Sequence, residues 1–225
     1  MNLQNVIKEK VYNFYTKDFD GEDIIVDSNN FQVMMEWEKP YMEALIDNLK
    51  PTGDVLEIGF GFGYSATQIQ KHNIKSYTVI ECDEEGIKRA REWAKHQPHP
   101  VTVIEGFYHI EIQKLNQKFD CVFIDDSPRE IDLEARQGNF VELFSILITR
   151  MANVGCRVGW YAQMPSWFYV HPATIHSCKP FKIQIPEKCR YINDKVKKYN
   201  TLFMPVLEYP YGSLTEDDLD MYSIN

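Results

Sequence analysis

The sequence has 225 residues, and 44% of them are hydrophobic, so the chain can bury a full core as one α/β domain. It contains 24 Lys and Arg and 33 Asp and Glu, which gives a formal net charge of −9, and the acidic residues are scattered along the chain. This balance argues against nucleic acid as a partner and favours a cationic substrate. No stretch approaches the roughly 18 apolar residues of a membrane span or resembles a signal peptide, so we expect a cytoplasmic protein with no membrane partner.

Short apolar runs alternate with longer stretches of helical period, which predicts a Rossmann-like α/β fold with a mostly parallel central sheet and helices on both faces. Seven runs, most of them rich in β-branched or aromatic residues, are predicted strands. They are Asp54–Ile58, Ser76–Ile80, Val101–Ile104, Phe119–Ile124, Cys156–Tyr161, Phe181–Ile185 and Thr201–Leu207. Helices are predicted at about 64–72, 84–96, 108–117 and 131–151.

The first predicted strand runs into a glycine-rich turn, Glu57-Ile-Gly59-Phe-Gly61-Phe62-Gly63, before a helix. Glycine lets the backbone approach a nucleotide-like ligand closely, and the start of the helix offers free amides. The second strand ends at Glu81, about 20 positions after the glycines, where a carboxylate can accept hydrogen bonds from both hydroxyls of a ribose.

These features are compatible with either NAD or S-adenosylmethionine as the cofactor. Hydride-transfer enzymes generally show the turn GxGxxG, but the position of its third glycine is here the bulky Tyr64. The pattern V-L-E-I-G-x-G resembles motif I of Rossmann-like, class I methyltransferases instead. S-adenosylmethionine is therefore the predicted cofactor.

A longer motif precedes the turn: Trp37-Glu38-Lys-Pro40-Tyr41-Met42. It resembles the guanidinoacetate N-methyltransferase family, whose members carry W-E-x-P-Y-M before V-L-E-x-G-F-G. The similarity spans roughly residues 31–208 and includes matches such as Gly106 before two aromatics and Cys189-Arg190-Tyr191. It implies an N-terminal helical segment and a methyltransferase that acts on the guanidino group of a small molecule such as guanidinoacetate or arginine.

The chemistry of a guanidinium group explains why two acids would be needed. Its reference pKa is about 12.5 to 13.8, so its nitrogens are protonated and are poor nucleophiles in water. One carboxylate can hold the planar fork, and another can take the proton as the nitrogen bonds to the methyl carbon. The resemblance assigns these parts to Glu38 and Asp125.

The resemblance also implies the binding residues. Predicted cofactor contacts are Met34, Met42, Glu57, Gly59, Gly61, Phe62, Gly63, Glu81, Cys82, Tyr108 and His109. Predicted substrate contacts are Glu38, Met42, Asp125, Met164 and Pro165. The N-terminal aromatics Tyr12, Phe14 and Tyr15 are candidates for a lid over the site, and the sequence singles out none of them.

Two segments depart from the family pattern. After Asp125 the family has Thr-Tyr, whereas this chain has Asp126-Ser127. The family segment N-L-T-S-W, which binds the substrate carboxylate through backbone N–H groups, is here Gln163-Met164-Pro165-Ser-Trp, and proline has no N–H to donate. The guanidino head group is therefore expected to be retained while the rest of the acceptor differs from guanidinoacetate.

Other interpretations stay open. The acceptor could be an arginine of a protein, the methyl group could go to oxygen or carbon, or the fold could serve as a binding module without catalysis.

The five cysteines form no CxxC pair and the six histidines lack ligand spacing, so no metal and no disulfides are expected. One domain is expected over residues 1–225, with a lid and substrate segment at 1–50, a cofactor core at 51–161 and substrate loops at 162–225. The choice between a monomer and a homodimer is open.

Overall fold

The computed structural model describes residues 12–126, 143–165 and 174–215. The strands are β1 Phe14–Lys17, β2 Asp23–Val26, β3 Gln32–Met35, β4 Gly53–Ile58, β5 Ile74–Glu81, β6 Val101–Glu105, β7 Phe119–Ile124, β8 Ala152–Trp160, β9 Ile175–Lys182 and β10 Thr201–Tyr209. The α-helices are α1 Lys39–Leu49, α2 Tyr64–Ile69, α3 Glu84–Ala94, α4 Tyr108–Glu111 and α5 Asp194–Tyr199. The structure also contains two 3₁₀ turns, Glu36–Glu38 and Ile112–Lys114, and a π-helical turn, Leu147–Met151.

Seven strands form one sheet in the order β6-β5-β4-β7-β8-β10-β9. The pairs among β6, β5, β4, β7 and β8 are parallel, and β10 runs antiparallel to both β8 and β9. Successive residues of β4 point to opposite faces: Val55 joins the core beneath α1 and α2, and Leu56 joins a second core that includes α4 and Leu147. Helices therefore cover both faces, and the predicted Rossmann-like fold is confirmed.

The N-terminal segment contains the helix α1, as expected, but also three strands that the sequence did not predict. Strands β1, β2 and β3 form a separate antiparallel sheet. Each has only four residues, and the β2–β3 register shifts between Ile25 and Val26, so their alternating pattern is too short to recognise. Ile25 and Met34 from this sheet pack into the main core, which fixes the small sheet beside the glycine turn.

Helix α1 joins the small sheet to the main one. Its buried residues are Tyr41, Met42, Leu45, Ile46 and Leu49, at the spacing of a single helical face. It ends where Lys50 adopts a left-handed φ of 54°, immediately before Pro51. The side chain of Leu49 lies against β8 at Gly159, where an added Cβ would come within 3.3 Å of it.

Several predicted boundaries in the second half are wrong. Strand β9 occupies Ile175–Lys182 instead of Phe181–Ile185, because it pairs with β10 from Thr201↔Lys182 to Glu208↔Ile175. The predicted helix at 108–117 is only a short α4 and one 3₁₀ turn. Helix α5 was not predicted; it starts at the cap Asn193, whose side chain accepts the Lys195 N–H at 2.8 Å. Most of the predicted helix at 131–151 lies outside the described residues, and its last part, 143–151, is helical.

None of the helices in the described ranges combines the length and the apolar character that crossing a membrane requires.

Replacing Leu49 with alanine tests the contact between α1 and the main sheet. The side chain is fully buried, so Leu49→Ala should lower the free energy of unfolding by about 2 to 5 kcal/mol. The exposed neighbour Asp47 is the control, and Asp47→Ala should cost no more than about 0.5 kcal/mol. Chemical denaturation measures both values, and equal losses would contradict the proposed packing.

Candidate active site

The glycine turn lies where three neighbouring parallel strands end. The Asp125 N–H donates to the Ile58 carbonyl at 2.9 Å, and the Gly59 N–H donates to the Ile80 carbonyl at 2.9 Å. Gly59 has a φ of +84°, and a Cβ there would lie 2.3 Å from the Asp125 carbonyl oxygen. Only glycine allows this contact. The turn thus sits in the crevice at the carboxyl ends of β4, β5 and β7, where open α/β sheets bind ligands.

Met34 of the small sheet covers the turn. The Phe62 N–H points at the Met34 sulfur at 3.5 Å, and a Cβ on Gly61 would come within 2.8 Å of that sulfur. Met42 has no exposed surface and lies in the core that also contains Met34 and Phe60. The structure therefore brings Met34 to the surface of the turn, and the cofactor contact of Met42 stays a prediction.

Glu81, the predicted ribose acid, lies at the end of β5 beside the turn. Its carboxylate accepts three backbone N–H groups: Phe60 at 2.7 Å, Cys82 at 2.7 Å and Asp83 at 2.8 Å. Burial raises its pKa, and these three donors oppose the rise. Because Phe60 belongs to the glycine turn, Glu81 holds the turn against the end of β5.

Glu57 is enclosed beneath the turn. It is fully buried, and its two oxygens accept the Ser65 and Tyr77 hydroxyls. Burial raises its pKa to about 8, against the lowering effect of these two hydroxyls. Both carboxylate oxygens are thus occupied within the domain, and Glu57 ties the turn to α2 and β5 instead of facing the crevice.

The next strand brings further predicted contacts to the same edge. The Gly106 N–H donates to the Glu81 carbonyl at 2.8 Å, which places the residues after β6 beside the end of β5. Tyr108 is buried in the second core, and its ring lies 5.8 Å from the His109 ring in an edge-on arrangement. Cys82 is half-buried immediately after Glu81.

Among the three N-terminal aromatics, the structure brings Tyr15 to the turn. Its hydroxyl donates to the Gly61 carbonyl at 3.4 Å, and its ring meets Phe62 edge-on at 5.7 Å. The Arg89 guanidinium lies over the other side of the ring, 4.2 Å from its centre. Tyr12 and Phe14 are more than half exposed.

Glu38 is held in the interior at the junction of the small sheet and α1. Its Oε2 accepts the Met35 N–H at 2.8 Å. Burial raises its pKa to about 7, and the Met35 N–H and the hydroxyls of Tyr191 and Tyr161 act in the opposite direction. A carboxylic acid in this environment is poised to exchange its proton near neutral pH.

Asp125 follows β7 and faces the same region. Burial raises its pKa well above the usual value, and the negative charges of Glu38, Glu57, Asp126 and Glu81 raise it further. The negative charge of Glu38 thus acts on Asp125, although the two predicted catalytic acids are 87 positions apart in sequence, from 38 to 125.

The predicted substrate loop is only partly described. Met164 and Pro165 are exposed, whereas the preceding Gln163 is tied into the fold. The Gln163 amide donates to the Tyr191 carbonyl at 3.1 Å. Ser166 and Trp167 of the same motif lie outside the described residues.

The model of the guanidinoacetate N-methyltransferase family matches residues 8–174, well over half of the sequence. This chain belongs to that family. The family model is that of an N-methyltransferase, in agreement with the predicted class of enzyme and with the predicted cofactor.

Individual proteins are similar to this chain over part of its length or in their fold. Protein arginine N-methyltransferase 2 of Candida glabrata is 33% identical over 120 residues, which are 49% of this chain but only 28% of that protein. Spermidine synthase from Thermotoga maritima superposes with a TM-score of 0.56 at 13% identity, covering 96% of this chain and 85% of that one. A methyltransferase from Pyrococcus furiosus gives a TM-score of 0.51 at 16% identity, covering 77% and 83%. At such identities the two structures support the fold alone.

Two residues of the site were not singled out from the sequence. Tyr161 and Tyr191 both act on the Glu38 carboxyl, yet only Tyr191 lay in a stretch that resembles the family, and no role was attached to it. Tyr161 directly follows β8. The rule that ligands bind at the carboxyl ends of parallel strands could have identified it.

A glycine substitution tests the contact between the turn and Asp125. Gly59→Ala should weaken binding of S-adenosylhomocysteine at least about tenfold, because the new Cβ must displace the Asp125 main chain. Gly155 is a matched control, since its φ of +77° imposes similar backbone strain but no atom lies within 4 Å of the added carbon. Calorimetric titration of both variants measures the difference, and equal affinities would contradict this role of the turn.

Proposed function

We propose that this enzyme transfers a methyl group from S-adenosylmethionine to a nitrogen of a guanidino group on a small molecule such as guanidinoacetate or arginine. The observation that supports the proposal most directly is that Glu38 is buried and Asp125 half-buried beside the glycine turn, with the negative charge of Glu38 raising the pKa of Asp125. Two acids that affect each other in this way are unfavourable as free anions, and a planar cation with several N–H donors relieves that cost.

The donor side of the site suits S-adenosylmethionine. Gly59 and Gly61 leave room that a side chain would fill, and Glu81 lies next to them at the end of β5. These residues would hold the cofactor, with Glu81 beside the ribose hydroxyls and Met34 against the turn. The bound cofactor supplies a methyl group on a positively charged sulfur.

On the acceptor side, the two acids have complementary tasks. Glu38 is fixed by the Met35 N–H and orients the guanidinium through paired hydrogen bonds. Asp125, which adjoins Gly59 directly, takes the proton released by the reacting nitrogen. The nitrogen forms a bond to the methyl carbon, the carbon–sulfur bond breaks, and its electron pair stays on sulfur. Charge is balanced because the proton ends on the carboxylate.

Much of the rate enhancement comes from position. Held with nitrogen and methyl carbon about 3 to 3.5 Å apart, the reactants no longer need to find each other in solution. Tyr41 supports this arrangement: its hydroxyl donates to the Phe203 carbonyl at 2.5 Å and accepts the Ala162 N–H at 3.1 Å, which anchors α1 to β10 and the end of β8.

The rest of the acceptor is proposed to differ from guanidinoacetate. Pro165 removes one backbone donor that the family uses for the substrate carboxylate, and Met164 is exposed. A protein-bound arginine is the second candidate, favoured by the similarity to a protein arginine methyltransferase over 120 residues.

Methyl-transfer assays with guanidinoacetate, free arginine and an arginine-containing peptide, at equal concentrations, distinguish these acceptors. Preference for the peptide would contradict the small-molecule proposal.

Neutralising either acid tests the chemistry. Glu38→Gln and Asp125→Asn should each lower turnover of the preferred guanidino acceptor by about 10² to 10⁴. Glu36→Gln is the matched control, because Glu36 lies in the same 3₁₀ turn but on the exposed side, and its turnover should stay near wild type. Steady-state assays at saturating S-adenosylmethionine give these rates. Near-normal turnover in Asp125→Asn would count against the guanidino mechanism.

The raised pKa of Glu38 predicts a proton signature. Between its ordinary pKa of 4.5 and about 7, the folded enzyme retains a proton that the unfolded chain has lost, so this stabilising contribution is present below pH 4.5 and is lost as the pH rises through 7. A bound guanidinium favours the carboxylate, so acceptor binding at about pH 6 should release protons.

Calorimetry in two buffers of different ionisation enthalpy measures the number of protons released. Glu38→Gln should reduce that number, while Glu36→Gln should leave it unchanged. A binding enthalpy that does not depend on the buffer would show that Glu38 and Asp125 are already ionised in the free enzyme, contrary to the expectation.

A further inference from the structure

Two tyrosines beside Glu38 bury their hydroxyl groups without a partner. Tyr161 follows β8, and Tyr191 lies in the loop between β9 and α5. Both hydroxyl oxygens are inaccessible to solvent, and neither has a hydrogen-bond partner within the described ranges. Buried polar atoms are nearly always paired in folded proteins, and leaving one unpaired is unfavourable. An arrangement of this kind is expected where a ligand supplies the missing partner.

The position of Tyr161 is fixed by the sheet. Its backbone N–H donates to the Ile124 carbonyl at 3.1 Å, next to Asp125. Its ring meets the ring of Tyr41 edge-on at 5.3 Å. Since Tyr41 is itself anchored to β10, the hydroxyl of Tyr161 is held toward Glu38 and Asp125 by rigid elements.

Tyr191 is fixed by contacts between its loop and the small N-terminal sheet. The Arg190 N–H donates to the Gln32 side chain at 2.6 Å, and the Gln32 amide donates to the Lys188 carbonyl at 3.1 Å. The Lys188 ammonium also binds three acids in the β1–β2 turn at 2.6 to 2.8 Å. These acids are Asp18, Asp20 and Glu22. The loop is thereby tied to the element that carries Met34.

Both hydroxyls lie near enough to Glu38 to lower its pKa, but neither meets the distance and angle of a hydrogen bond to it. The other titratable groups that face Glu38 are Tyr41, Tyr64, Asp125 and Cys189. No Lys or Arg appears among these groups in the described part of the chain. A positive charge for Glu38 must therefore come from elsewhere, as a cationic substrate would provide.

The number of N–H donors on a guanidinium group suggests a role for the two hydroxyls. A monosubstituted guanidinium presents five N–H donors in one plane. Two carboxylates, each in bidentate contact, accept four of them. In a pocket without bulk water the remaining donor needs an oxygen acceptor, and a tyrosine hydroxyl can accept one hydrogen bond while donating another.

We propose, on the basis of the guanidino function above, that Tyr161 and Tyr191 are substrate-binding residues. When the acceptor binds, both hydroxyls donate to the Glu38 carboxylate, and one of them also accepts the single guanidinium N–H that the two acids leave unpaired. Glu38, Tyr161 and Tyr191 then form one head-group site built from three distant parts of the chain. The site selects acceptors with the full set of N–H donors.

Removing each hydroxyl alone tests this assignment. In Tyr161→Phe and Tyr191→Phe, kcat/KM for the guanidino acceptor should fall about tenfold at neutral pH, as expected for one lost hydrogen bond to a charged group. The acidic limb of the pH profile should move to higher pH, because Glu38 loses a nearby hydroxyl group that lowers its pKa. The midpoint of thermal unfolding should not decrease, since the free enzyme loses only an unpaired hydroxyl.

The control is Tyr199→Phe, because Tyr199 is 65% exposed and lies at the end of α5. It should leave kcat/KM and the pH profile unchanged. Unchanged kinetics in both Tyr161→Phe and Tyr191→Phe would overturn the inference. So would a loss of equal size at every pH accompanied by a lower unfolding midpoint, since this would indicate a structural role.

The proposed function can fail separately. A wild-type enzyme that methylates no guanidino compound overturns that function, whatever the variants do. In that case, a ¹³C NMR titration of the Glu38 carboxyl still tests the contact between the hydroxyls and Glu38. An identical titration midpoint in the wild type and in Tyr191→Phe would overturn the contact as well.

Discussion

Acidic side chains crowd the buried end of the central sheet, and the architecture of the site follows from this constraint. The negative charges of Glu38, Glu57 and Glu81 all raise the pKa of Asp125 there, and that of Glu81 raises the pKa of Glu57. Burying several like charges is costly unless protons, hydrogen-bond donors or a cation compensate. Glu57 and Glu81 are compensated within the domain by hydroxyl and backbone donors. Within the described residues, Glu38 and Asp125 have fewer such donors, and the positively charged acceptor proposed above would compensate their charges.

The division of these acids into two pairs separates support from chemistry. Glu57 lies under the glycine turn, and Glu81 ties that turn to β5, so both define the shape of the donor side. The other pair is assembled from an N-terminal turn and the end of β7. One fold can therefore keep its donor site while the acceptor side varies through loops, which is how general methyltransferase folds accommodate many substrates.

The sequence predicted the parts that depend on local pattern. The parallel strands, the glycine turn and Glu81 all follow from short-range signals, and the positions of β4 to β8 agree with them. The small sheet was not predicted, because its four-residue strands show too little alternation of apolar and polar residues. Strand β9 was displaced because its ends are set by pairing with β10, a long-range effect. The joint role of Glu38 and Asp125 came only from the family resemblance, and Tyr161, at the end of a predicted strand, was given no role.

The Lys188 ion cluster joins two surface loops that are about 170 positions apart, from Asp18 to Lys188. Its three carboxylates and single ammonium form a unit, since removing the lysine would leave three acids repelling one another in the β1–β2 turn. Replacing the loop around Tyr191 with the loop of another family member would therefore also require the matching β1–β2 turn. The two segments are therefore expected to be exchangeable only when both are replaced together.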